Sequence, residues 1–227
     1  MMYNKSDFNK FALSKGISSS KLHGYNRYVS RRGYINPVIL EESELEVTPI
    51  DVFSRLMLDR QVFIGTDIEP EMANIINAQL LYLDNVSDED VTILVNSPGG
   101  TCYDGLAILD TMDYIKPEIS TICVGMAASM GAVILSAGEK GKRYILPHSR
   151  VMIHQPHGGA GGQCSDILIE AEQIKILKDE LCEIIAKNSG QPLDKVLVDC
   201  DRDYWMKGSE AIEYGLVDEI IKSKKHV

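Results

Sequence analysis

Cysteine pairs, positive charge and long apolar runs are what this sequence has least of. None of its five cysteines (Cys102, Cys123, Cys164, Cys182, Cys200) stands in a CxxC pair, and an odd, scattered set indicates neither a disulfide framework nor a zinc site. They read as mostly buried thiols of a reducing compartment, which points to a cytoplasmic location. Lys and Arg number 23 against 33 Asp and Glu, leaving −10 at pH 7, a field that repels phosphate backbones and anionic headgroups. Nucleic acid and membrane are therefore not expected partners. The uncharged stretch 119–138 is interrupted by three glycines and three serines and bracketed by Glu118 and Glu139, which suits a buried strand, turn and helix better than a membrane span. There is no internal repeat, no low-complexity tract and no P-loop lysine.

What remains is an ordinary globular composition, 44% hydrophobic over 227 residues, enough for one or two domains with a real core. Charge divides it. Residues 1–36 carry seven basic side chains (Lys5, Lys10, Lys15, Lys21, Arg27, Arg31, Arg32) against the single acid Asp7, so this stretch is +6 and the rest −16. A basic, serine-rich leader without an apolar core is not a secretory signal; it reads as a disordered or removable pro-segment, with an organellar transit peptide as the alternative. The folded part is expected over 37–227.

Strand and helix patterns alternate from residue 50 on: a short helix to Arg60, strand Gln61–Ile64, a helix from Pro70 to about Asp84, strand Val91–Val95, a helix from Tyr103 to Ile115, strand Thr121–Val124, a small-residue helix Ser129–Ala137, and strands Arg143–Leu146 and Val151–His154. Such alternation implies βαβ units, an α/β class, and a parallel sheet with helices over both faces. A glycine-rich break, Gly158–Gly162, precedes one long helix, Ser165–Asn188, whose apolar stripe (Ile167, Ala171, Ile174, Leu177, Leu181, Ile184) fits either core burial or packing on another subunit.

Ser129 stands where the buried strand hands over to the small-residue helix, with Ala127, Ala128, Gly131 and Ala132 leaving room for a substrate backbone and the Met130 amide placed to stabilise an oxyanion. By itself a serine in such a small-residue turn is more often a plain N-cap or packing residue. A hydroxyl needs a base, and of five histidines His154 alone sits at a strand's end facing a loop. His148 and His157 read as solvated. His154 and His157 could be imagined as a metal pair, but the strand-then-proline context is expected to splay their rings and no third ligand stands out, so no metal is expected. Asp201 and Asp203 both offer a carboxylate to orient the imidazole, and Tyr204 and Trp205 could bury whichever points inward; sequence alone does not choose between them. Asn96-Ser97-Pro98-Gly99-Gly100 ends a strand with two exposed amides, suited to a second oxyanion donor or to a plain turn.

Five strings in this order, Asn96–Gly100, Ala127–Ala132, Ser149–Pro156, Asp201–Asp203 and Glu213–Asp218, resemble the proteolytic subunit of the ATP-dependent Clp protease family, from about Asn36 to Lys222. The resemblance implies a crotonase-like fold of repeated βαβ (ββα) units with a protruding strand-helix handle at about 155–188. It implies Ser129 as nucleophile, His154 as base, Asp203 as orienter, and the Gly100 and Met130 backbone amides as the oxyanion hole. It further implies a serine endopeptidase that cleaves unfolded polypeptides inside two stacked heptameric rings of identical chains. A hexameric AAA+ chaperone would feed those rings, and ATP would be consumed by that partner with no cofactor in this chain. Thr92 and Leu94 stand where relatives often carry aromatics at the chaperone-docking pocket. A catalytically silent ring subunit would lack part of the triad, and an acyl-CoA hydratase-like protein would use the paired amides without a serine.

Overall fold

The computed structural model describes residues 38–42 and 47–222, with side chains from residue 50. The basic leader over 1–36 lies outside the described residues. Strands β1 (Val38–Glu42) and β2 (Val47–Asp51) pair antiparallel, Val38 opposite Asp51 and Glu42 opposite Val47, in a unit of their own. Periodicity had not signalled this hairpin.

A second compact unit begins at Phe53. Its elements run α1 (Val52–Leu58), β3 (Gln61–Ile64), α2 (Pro70–Val86), β4 (Val91–Ser97), α3 (Cys102–Tyr114), β5 (Ile119–Ala128), α4 (Met130–Ser136), β6 (Arg143–Ile145), β7 (Arg150–Ile153), α5 (Cys164–Ser189), α6 (Leu193–Asp199), β8 (Tyr204–Lys207), α7 (Gly208–Tyr214) and β9 (Glu219–Ile220). The α/β class and the predicted strand–helix alternation hold, each helix start falling within a residue or two of its pattern. The sheet order is β3-β4-β5-β6-β9, all parallel; β7 lies beside the later part of β5, and β8 pairs antiparallel with β7.

Two expectations change. Helices were expected over both sheet faces, yet burial alternates along β4: Val91, Ile93 and Val95 are buried while Thr92 and Leu94 are only partly covered. In β5, Ile119, Thr121 and Cys123 are likewise buried and Ser120, Ile122 and Val124 are not. A period of two in burial means that, among the described residues, one face is fully packed and the other only partly covered. Strand β5 is also longer than the expected Thr121–Val124, because Gly125 takes φ +96 and lets the strand resume. Pairing with β4 slips from Val95–Cys123 to Ser97–Ala127 at that point. Ser149 clamps the irregularity, its Oγ accepting from the Gly125 amide at 2.8 Å and donating to the Cys123 carbonyl at 3.1 Å. Before the bulge β5 pairs with β6, and after it with β7.

Helix α4 is buried along its whole length, from Met130 to Ser136, which explains why apolar residues occupy every side of it. Arg143, 3% exposed, ties this core together: it donates to both carboxylate oxygens of Asp218 (Nε to Oδ2 3.0 Å, Nη2 to Oδ1 2.6 Å) and, through Nη1, to the carbonyls of Ser136 and Asn188. Burial alone would raise the Asp218 carboxyl, but the hydrogen bonds and charge of Arg143, with the Gly141 amide, together outweigh it and hold the group below its usual range. A lowered folded value means that this stabilisation is complete above the unfolded-state range and is lost as pH falls through the folded value. Asp218→Asn is therefore expected to cost about 3 kcal/mol in urea unfolding at neutral pH, because it strips a buried guanidinium of its counter-charge. The gap from wild type should narrow in acid, where the wild-type carboxyl protonates too.

Three of the cysteines (Cys123, Cys182, Cys200) are buried, Cys102 is half-buried and Cys164 exposed; all five are free thiols. Burial pushes the Cys123 thiol up to about 12, so it stays protonated.

Candidate active site

Ser129 joins β5 to α4 with φ 54 and ψ −126, a conformation that costs a non-glycine residue about 1–3 kcal/mol and persists only where its surroundings fix it. They do so from both sides. The Ser129 amide donates to the Met152 carbonyl at 2.9 Å, extending the β5–β7 pairing by one bond, while its carbonyl accepts from Ala132 (2.9 Å) and Val133 (3.2 Å) as the first turn of α4. The turn presents the side chain toward Gly99: a β-carbon on Gly99 would lie 2.6 Å from Ser129 Cβ and 3.0 Å from its Oγ, and φ +99 there already favours glycine.

Gly100 is held from the opposite direction. Ile68 forms a parallel bridge with it, the Ile68 amide donating to Gly99 O (2.8 Å) and the Thr101 amide to Ile68 O (2.9 Å). In such a bridge the middle residue's own N–H points away from its partner, here away from Ile68. Among the described residues no turn, loop or cap hydrogen bond uses the Gly100 or the Met130 amide, so both donors remain for a ligand.

His154 and Asp203 meet because of register. Strands β7 and β8 pair antiparallel with Ile153 opposite Tyr204, so the next pair outward is His154 and Asp203. His154 Nδ1 lies 3.0 Å from Asp203 Oδ1. Asp201 is engaged elsewhere, its carbonyl and Oδ1 accepting from Gln155 Nε2 at 2.8 and 3.3 Å. The choice that sequence left open thus falls on Asp203. Its side chain is 57% exposed and the His154 side chain 12%. Tyr204 and Trp205 do not shield it as expected; they are 41% and 50% exposed. Ser129 and His154 each follow the β5–β7 pairing, in which Ala128 stands opposite Met152, and no hydrogen bond joins Oγ to the ring among the described residues; such bonds often tighten only around substrate.

A second correction concerns His157. Its ring is not splayed from that of His154 but packs edge-on against it, centroids 4.7 Å apart. The Gln155 amide is anchored to the Cys200 carbonyl at 2.6 Å, which fixes the backbone just before Pro156. Ligand atoms of His154, His157 and Asp203 fall within 4.8 Å of one another. No sequence pattern could have shown this, since it depends on β8.

A strained serine beside two free amides and a histidine oriented by a carboxylate, at the ends of parallel strands, define a serine-type hydrolase. The family model described as Clp protease matches residues 43–224. Proteins named ATP-dependent Clp protease proteolytic subunit are 56% identical over 220 residues in Bacteroides fragilis and 54% identical over 220 residues in Bacteroides thetaiotaomicron, each alignment covering 96% of this chain and 99% of the relative. One from Porphyromonas gingivalis is 52% identical over 221 residues, with the same coverage. The chain belongs to the Clp protease family. Coverage this complete takes in most of the first 36 residues, so the leader too has counterparts in these relatives, beyond the stretch from Asn36 that holds the motifs.

Proposed function

We propose that this serine endopeptidase cleaves unfolded polypeptides by acyl transfer at Ser129. The observation that carries the assignment is the His154–Asp203 hydrogen bond, placed by β7–β8 register two residues beyond the carbonyl that holds the Ser129 amide. As a carboxylate Asp203 only accepts, so Nδ1 carries the imidazole proton and Nε2 is left with a lone pair. Ser129 Oγ attacks the peptide carbonyl carbon as its proton passes to Nε2, and the Gly100 and Met130 amides stabilise the oxyanion. His154 returns the proton to the departing amine, and water, activated by the same nitrogen, hydrolyses the acyl-enzyme.

The working form in this reading is two stacked rings of seven identical chains, consistent with apolar surface left uncovered. Helix α5 buries Leu177, Leu181, Cys182 and Ile185, whereas in its first turns Ile167, Leu168 and Ile169 are 39%, 65% and 69% exposed. Those turns, with the glycine-rich segment before them, are the part available to a neighbouring ring. Residues 155–162 pair with no strand among the described residues, which leaves their backbone available to a strand of a neighbouring chain. Relatives named ATP-dependent proteolytic subunits support a hexameric AAA+ partner that spends the ATP, no cofactor being needed here. Among the described residues no helix is long and apolar enough to cross a membrane, and the free thiols fit a cytoplasmic setting.

A fluorophosphonate probe tests the Ser–His pair directly. Wild-type protein should be labelled covalently at Ser129, and His154→Ala should slow that labelling by roughly a hundredfold or more. Labelling at an undiminished rate in the variant would refute His154 as the base.

A further inference from the structure

His157 takes no part in the acyl transfer derived above, yet among the described residues it is the one side chain that extends the His154–Asp203 pair to three donors. The three come from the end of β7, the loop after it and the residue before β8, and their ligand atoms lie within 4.8 Å of one another. Two imidazoles and a carboxylate are a borderline donor set, the kind that holds zinc with one position left open. In a tetrahedral zinc site, ligands at 2.0–2.2 Å sit about 3.3 Å from each other. The 3.0 Å between His154 Nδ1 and Asp203 Oδ1 is already near that spacing. His157 is exposed at the start of a glycine-rich loop, so its ring is free to rotate toward the third corner.

The geometry points to an inhibitory zinc site formed by His154, His157 and Asp203, through which free Zn²⁺ switches the peptidase off. This rests on His154 being the base. Zinc shared with Asp203 sits on Nδ1, the nitrogen that faces the carboxylate, and moves the ring's single proton to Nε2, which then donates and cannot accept. The ring stays neutral, and no proton is taken up or lost overall. Removing the ion restores the base.

Peptide cleavage by the assembled protein, measured against buffered free Zn²⁺, tests the site together with equilibrium dialysis of ⁶⁵Zn on the same preparation. Wild type should lose activity reversibly, recover with EDTA, and bind one tight zinc per chain. His157→Gln should cleave normally without zinc, need roughly tenfold or more zinc for half-inhibition, and lose the tight site. Cys164→Ser removes the exposed thiol, a competing zinc-seeking group, and should leave inhibition intact. Equal zinc sensitivity in wild type and His157→Gln, loss of inhibition in Cys164→Ser, or no tight zinc on wild type would each overturn the site. Dialysis reads the metal without reference to cleavage, so a protein that binds zinc through His157 but cleaves nothing would count against the peptidase assignment and not against the site.

Discussion

Ser129→Ala is expected to reduce peptide cleavage by on the order of 10⁶-fold, the loss seen when a serine nucleophile is removed from such a triad. Thermal unfolding should barely move. The strained backbone at residue 129 is fixed by the Met152 carbonyl and by the first turn of α4, neither of which involves the hydroxyl, and alanine meets the same φ of 54 that serine does. The side chain is only partly buried, so no packed cavity opens. Single-turnover assays with a fluorogenic peptide, alongside calorimetry, separate the two effects. A variant that kept more than about a thousandth of wild-type turnover would place the nucleophile elsewhere.

Asp203→Asn should lower kcat by about 10⁴ and leave KM nearly unchanged. An amide at this position fits the same space opposite His154 but carries no charge to offset the imidazolium, and its N–H can donate to Nδ1, which fixes the wrong tautomer. Since Asp203 is more than half exposed, folding should be indifferent to the change. The fluorophosphonate rate should fall in parallel with kcat, because both require His154 to accept a proton. A rate within tenfold of wild type would mean that the 3.0 Å contact is a surface ion pair of no catalytic consequence.

These two residues also mark the limits of reading the chain as a string. Ser129 was visible because its surroundings are local: an apolar strand, a run of small residues and a buried helix, all within a few positions. His154 was visible for the same reason, as the polar residue ending an apolar strand. Asp203 was not separable from Asp201, because the distinction is one of parity across an antiparallel ladder whose second strand, β8, is four residues long and mostly exposed. Such a strand has no apolar alternation to betray it. The short elements α6, α7 and β9 escaped detection in the same way, their existence depending on what they pack against more than on their own residues. Strand β5 was expected to end at Val124 because the hydrogen bonds that carry it through Gly125 come from Ser149, far along the chain.

From residue order alone came the α/β class, the succession of parallel strands and crossover helices, the absence of metal-type cysteine spacing, and the two side chains whose chemistry depends on near neighbours. Local hydrophobic period and backbone preference act over a few residues, so they are written in the string. Which carboxylate faces the imidazole, which amides stay unpaired, which sheet face is only partly covered and where His157 turns its ring were settled only when distant segments met. A pairing register and a close approach of two loops are relations between positions, and a linear pattern holds no record of them.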